Sequence, residues 1–288
     1  MKKLFTLTMA MISISVFASA KNVKVIYGND NRVDVIDSTN SMYVELSRST
    51  AAMISKARVS AERNGEIKIN GSTLESRGIC STERFAQQPT AASCSGFLVG
   101  DNLLVTAGHC IKSNSDCKRN KWVFDYKMEQ AGQKSISVAA SSVYNCKRVV
   151  NTVLDGFGKN DFALIELERN VKDRRVLDYR RKGKISKNQK LVVIGHPSGL
   201  PTKIADDAYV KSLHKNYFSA NLDTYGGNSG SAVFNADTGM VEGILVRGAT
   251  DYVYDSQKGC RVSNVLGHDS GSGEDVTYIT NIPELMQQ

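Results

Sequence analysis

The sequence predicts an all-β fold with its strands in two groups. Short apolar runs recur along residues 97–246, turns rich in glycine, asparagine and aspartate separate them, and no long helical period interrupts them. A basic stretch near residues 172–190 divides the strands into an earlier and a later set.

Taken in order, the chain opens with Lys2 and Lys3, an apolar run from Leu4 to Phe17 and the small-residue pattern Ala18-Ser19-Ala20. This is the layout of a secretory signal peptide over residues 1–20, too short and too polar for a stable span, and no later run is long and apolar enough to cross a bilayer. Export to the periplasm or beyond is expected. Ser49 to Ile54 reads as a first strand. Phe97-Leu98-Val99 and Leu103 to Thr106 flank Gly100-Asp101-Asn102, a hairpin signal. Phe162 to Leu167 and Lys190 to Gly195 are further apolar strands, the second closed by His196-Pro197-Ser198-Gly199. Ala232-Val233-Phe234 and Met240 to Val246 flank a second hairpin turn, and Pro283 to Gln288 fits a short terminal helix.

The 288-residue chain carries 37 Lys and Arg against 29 Asp and Glu, a formal charge of +8, or +6 without Lys2 and Lys3. The charge is scattered. Its densest run, Lys172-Asp173-Arg174-Arg175 on through Arg180-Arg181-Lys182-Gly183-Lys184 to Lys190, reads as a solvated linker. No aromatic interleaving supports a nucleic-acid patch. Six cysteines in an exported chain point to disulfides, and no Cys-x-x-Cys suggests a zinc or thioredoxin-like site.

Three motifs carry chemistry: Thr106-Ala107-Gly108-His109-Cys110, then Asp161-Phe162-Ala163-Leu164, then Gly227-Asn228-Ser229-Gly230-Ser231. Each alone suits an ordinary turn or strand end. Together, in this order, they offer a nucleophile, a base and a carboxylate to orient the base. A serine hydroxyl needs both partners at neutral pH.

At these residues the chain resembles the trypsin-like, chymotrypsin-fold serine proteases, and within them the secreted bacterial branch that includes the glutamyl endopeptidases. The resemblance runs from about Cys94 to Ile282. It implies two packed antiparallel six-stranded β-barrels, the first ending near residue 175 and the second starting near 185, with the active site in the cleft between them. It implies a triad of Ser229, His109 and Asp161, oxyanion donors at the Gly227 and Ser229 N–H groups, and peptide hydrolysis through an acyl-enzyme with no metal or cofactor. It also implies a Cys94–Cys110 disulfide. The expected remaining pairs are Cys117–Cys146 and Cys80–Cys260.

Two departures bear on activation and specificity. Asn228 stands where trypsin-like zymogens have the aspartate that pairs with a new N-terminal ammonium, and Ser231 replaces the usual second glycine. Asp223 lies six residues before Ser229, the spacing of a pocket-base carboxylate that binds Arg or Lys, with a local backbone-bonding role as the alternative. Leu245 stands where glutamate-specific relatives place a histidine. Arg247 and Gly248 are expected on the cleft wall, with Asp275 nearby. Val25 to Arg32 resembles the mature N-terminus of the glutamyl endopeptidases. Residues 21–79 are then either a retained part of the 21–288 domain or a propeptide ending near Arg77-Gly78-Ile79. His196, His214 and His268 lack a matching context and read as surface or turn residues. The expected partners are protein or peptide substrates, with no nucleic acid and a monomeric enzyme. A catalytically silent binding protein and an esterase on the same triad are the competing readings.

Overall fold

The computed structural model describes residues 26–156, 159–248 and 250–287; the expected signal peptide at 1–20 lies outside the described residues. Twelve strands form two barrels. The first contains β1 (Thr50–Ser55), β2 (Ala92–Leu98), β3 (Leu103–Thr106), β4 (Asn120–Phe124), β5 (Val143–Asp155) and β6 (Asn160–Leu167). They pair antiparallel in the order β5-β6-β3-β2-β1-β4, and β4 closes back on β5. The second contains β7 (Lys190–Gly195), β8 (Lys203–Leu213), β9 (Tyr217–Ala220), β10 (Ala232–Asn235), β11 (Val241–Arg247) and β12 (Glu274–Tyr278). Their order is β7-β10-β11-β12-β9-β8, closed by β8 on β7. This is the expected pair of six-stranded antiparallel barrels.

Burial explains why the apolar runs form strands. Ala51, Phe97, Leu104, Trp122, Phe124 and Leu164 fill the first interior, and one apolar cluster continues through Val192, Ile194 and Ile244 into the second barrel. Leu191, Val210, Phe218, Val233 and Val276 fill the other side of the second barrel. The turn between β2 and β3 closes by Val99 N–H to Leu103 O at 2.9 Å and Leu103 N–H to Gly100 O at 3.3 Å.

The linker carries no barrel strand, but it is only partly solvated. The Arg174 side chain is 2% exposed; it packs 4.5 Å over the Phe124 ring and pairs with Asp125 and Asp173. Arg180 donates to the buried Glu242 at 2.9 Å. Arginine stems cover apolar surface while their heads find carboxylates, so a basic run need not be a free face.

The segment before β1 is bound to the second barrel. Ile26–Tyr27 pairs parallel with Val265–Leu266, and Val33–Asp34 adds to β8 at Lys203–Ile204. Lys203 forms a buried ion pair with Asp34 and donates to Gln88 Oε1 at 2.7 Å. Disulfides join Cys80 to Cys260, Cys94 to Cys110 and Cys117 to Cys146. The chain ends in a helical turn, Pro283–Met286. Among the described residues no helix is long and apolar enough to cross a membrane.

Candidate active site

The two barrels meet where β3, β6 and the 223–231 loop converge. β3 is held to β2 by the Thr106 hydroxyl, which donates to Ser95 O at 2.7 Å. The chain then turns, with Cys110 N–H bonded to Ala107 O at 3.1 Å, and presents His109 at the rim. On the neighbouring strand Asp161 is 1% exposed. One of its oxygens accepts the His109 backbone N–H at 3.0 Å, and the other meets His109 Nδ1 at 2.8 Å. The ring is thus held in position, with Nδ1 donating toward the carboxylate and Nε2 turned away from it.

The loop from the second barrel is pinned from both sides. Ser229 O accepts the Ser95 N–H at 2.8 Å, Gly230 N–H donates to Leu245 O at 2.7 Å, and Leu245 N–H donates to Ser231 O at 3.0 Å. Gly227 has φ +99°, and a Cβ there would lie 2.5 Å from His196 O, so only glycine fits. Asn228 and Ser231 N–H groups are also spent within the protein, on Tyr225 O and Asn228 O. The Gly227 and Ser229 N–H groups donate to no protein acceptor among the described residues. Two unspent donors on a strained, fixed loop suit a developing oxyanion. The Ser229 hydroxyl makes no hydrogen bond among the described residues, as is common before substrate draws such contacts together.

Asp223 is not exposed at a pocket base. It is buried at 3% exposure, and its oxygens accept the Tyr27 N–H at 2.7 Å and the Asn31 N–H at 3.3 Å. Burial pushes its carboxyl up from 3.8 to about 6. Beside it the buried Arg32 lies 4.2 Å over the Tyr225 ring and pairs with Asp30 at 2.7 Å. Arg247 donates to Lys159 O at 2.8 Å, with nitrogens 3.7 Å from Asp161 and 3.6 Å from Asp275. Together with Gly248, Lys159 and Asp275 it lines a cavity of about 440 Å³. Leu245 is buried at 3% exposure.

Sequence reasoning missed two buried groups. His196 is fully buried between Ser95 Oγ at 3.0 Å and Thr202 Oγ1 at 3.2 Å, and burial lowers its pKa from 6.5 to about 3. It is a turn residue, but not a surface one. Glu274 is buried against Gly248, where a Cβ would fall 1.5 Å from Oε2, and accepts the Thr224 hydroxyl at 2.8 Å. Its only sequence signal was the glycine it meets. Among the described residues one grouping has metal-ligand spacing, Cys94, His109 and Cys110. Its two sulfurs are bonded to each other, so no thiolate is available there.

The model of the trypsin-like peptidase domain matches residues 94–244, more than half of the chain. The chain belongs to the trypsin-like peptidase family. Two similar solved structures agree on the fold. The Vibrio cholerae VesB protease aligns with TM-score 0.53 at 11% identity, covering 92% of this peptidase and 67% of that chain. Human heparin binding protein aligns with TM-score 0.51 at 11% identity, covering 83% and 90%. A Glu endopeptidase bound to MPD aligns with TM-score 0.49 at 15% identity, covering 92% and 100%. No curated protein sequence matches the peptidase.

Proposed function

We propose that this peptidase is an exported serine endopeptidase in which Ser229 attacks the scissile carbonyl, His109 moves the proton and Asp161 orients the imidazole. The observation that carries this reading is the clamp of His109 by both oxygens of the buried Asp161. With Nδ1 occupied, Nε2 takes the Ser229 proton as the C–O bond forms, then returns it to the leaving amine as the C–N bond breaks. The Gly227 and Ser229 N–H groups stabilise the oxyanion. Water enters, His109 takes its proton, and the acyl-enzyme is resolved. Arg247 sets a guanidinium nitrogen 3.7 Å from the same Asp161 carboxylate. Three disulfides suit the oxidising compartment to which the expected signal peptide would deliver the chain.

Residues 26–79 belong to the active enzyme in this reading, because they supply β1 and the partners of Asp223. Asp223 acts as the anchor of that segment. Cleavage after Arg or Lys therefore stands without the free carboxylate that motivated it, and no preference before the scissile bond is carried forward. A catalytically silent protein on the same fold is the reading to defeat.

The test is covalent labelling by a fluorophosphonate serine probe, followed by peptide-library cleavage read by mass spectrometry. Labelling of Ser229 that is lost in Ser229→Ala and His109→Ala, together with peptide cleavage, is expected. Unlabelled wild-type protein with correct disulfides refutes catalysis; hydrolysis of esters but no peptide refutes the endopeptidase.

A further inference from the structure

A groove of about 450 Å³ opens at Gly227, one of the candidate oxyanion donors, and shares no lining residue with the cavity at Arg247 and Gly248. Gly226 and Gly227 form one flank, and Ala92 and Ser93 form another. Ser93 precedes Cys94, whose disulfide partner Cys110 follows His109. The groove therefore borders Gly227, one of the two candidate oxyanion donors, and reaches Ser93 beside the disulfide that adjoins His109. A peptide whose acyl half faces the cavity at Arg247 and Gly248 would send its leaving half here.

Two exposed guanidiniums, Arg58 and Arg77, line this groove, and among the described residues no carboxylate does. Each is aimed by one nitrogen. Arg58 Nη1 donates to Thr90 O at 3.0 Å, and Arg77 Nη1 donates to Ser198 O at 2.8 Å. A guanidinium has five N–H donors, so each keeps donors for a ligand. Among the described residues neither forms an ion pair, whereas Arg247 and Lys159, at the other cavity, both have Asp275 within 3.6 Å. The chain as a whole is basic, yet many of its arginines are matched to a carboxylate, including Arg32, Arg174 and Arg180. Two positioned and unmatched guanidiniums at the mouth of a reaction site are a receptor for carboxylates.

We propose that Arg58 and Arg77 form the subsite for the leaving half of the substrate and select carboxylates just after the scissile bond. The inference rests on the peptidase reading above. The carboxylate is supplied by an Asp or Glu side chain, or by the free C-terminus of a short leaving peptide. Both present the same group to the same donors, and both are drawn in by a field that salt weakens.

The experiment uses the full mature enzyme and peptides identical up to the cut. They carry Asp-Glu, Asn-Gln or Lys-Lys after it, each with a free or an amidated C-terminus. The readout is the ratio of kcat/KM between peptides for one enzyme, so a general loss of activity cancels. An exposed charge pair favours its partner by up to roughly fivefold, so the acidic peptide should exceed its amide counterpart by about tenfold at low salt. The ratio should shrink at high salt, and Arg58→Gln and Arg77→Gln should each lower it several-fold. A preference that disappears on C-terminal amidation alone assigns the site to the terminal carboxylate; one that survives assigns it to the side chains. A wild-type ratio near one, or a ratio unchanged in the double variant, overturns the subsite while leaving the peptidase intact. No hydrolysis of any peptide overturns both.

Discussion

Asp223 offers the sharpest test of which carboxylates belong to structure and which to substrate. In the folded enzyme it holds its proton up to about pH 6, because burial disfavours the charged form. In the unfolded chain it ionises near the ordinary value of 3.8. Between these values the folded state binds more protons, so stability falls as pH rises. The favourable contribution is fully present below about pH 4 and lost above about pH 6. A shift of this size corresponds to about 3 kcal/mol. Asp223→Asn removes the titration. Its single carbonyl oxygen can replace only one of the two acceptors for Tyr27 and Asn31, a loss that does not vary with pH. The difference in unfolding free energy between wild type and variant, followed by urea titration from pH 4 to 7, should therefore move by about 3 kcal/mol in favour of the variant as pH rises. Activity on Arg and Lys substrates should fall no more than on apolar ones. A difference flat with pH, or a selective collapse on basic substrates, would return Asp223 to the pocket base.

Other outcomes follow from the same geometry. Asp161→Asn cannot accept both the backbone and ring N–H of His109, so the imidazole should adopt the wrong tautomer, lowering kcat by about 10⁴ with the melting temperature little changed. Gly227→Ala should abolish most turnover on peptide and ester alike, because its Cβ would press on His196 O at 2.5 Å; retained activity would show that the Gly227 N–H is not an oxyanion donor. Cys80→Ser with Cys260→Ser opens a link spanning 180 residues, for which chain entropy gives about 5 kcal/mol of lost stability, measurable by denaturant titration.

The barrel strands that the sequence reveals are those buried on both faces, such as Phe162 to Leu167 and Lys190 to Gly195. β5 was hidden because much of it is half-exposed and its pairing slips twice, between Cys146 and Arg148 and between Val149 and Asn151, which blurs any alternation. The His109–Asp161 contact was legible because chemistry demands those residue types in sequence. Asp223 was misplaced because spacing along a loop does not say which backbone will cross above it, and that backbone comes from 192 and 196 residues earlier. Arg58 gives no local signal, and Arg77 reads only as a possible propeptide end. Their significance lies in forming no ion pair among the described residues, which only the folded neighbourhood reveals.

Val33–Asp34, paired with β8 at Lys203–Ile204, carries a consequence for how the enzyme is made. This early segment has no place to lie until a strand from much later in the chain has formed. Loop closure over such a distance is slow, and contact order predicts a folding time at the long end for a β protein. Until it docks, the β8 backbone there presents open hydrogen-bonding groups to any passing strand. Refolding yield should therefore be limited by aggregation of molecules in which this segment has not docked, and a peptide spanning residues 26–37 supplied in trans should raise it by capping that edge early.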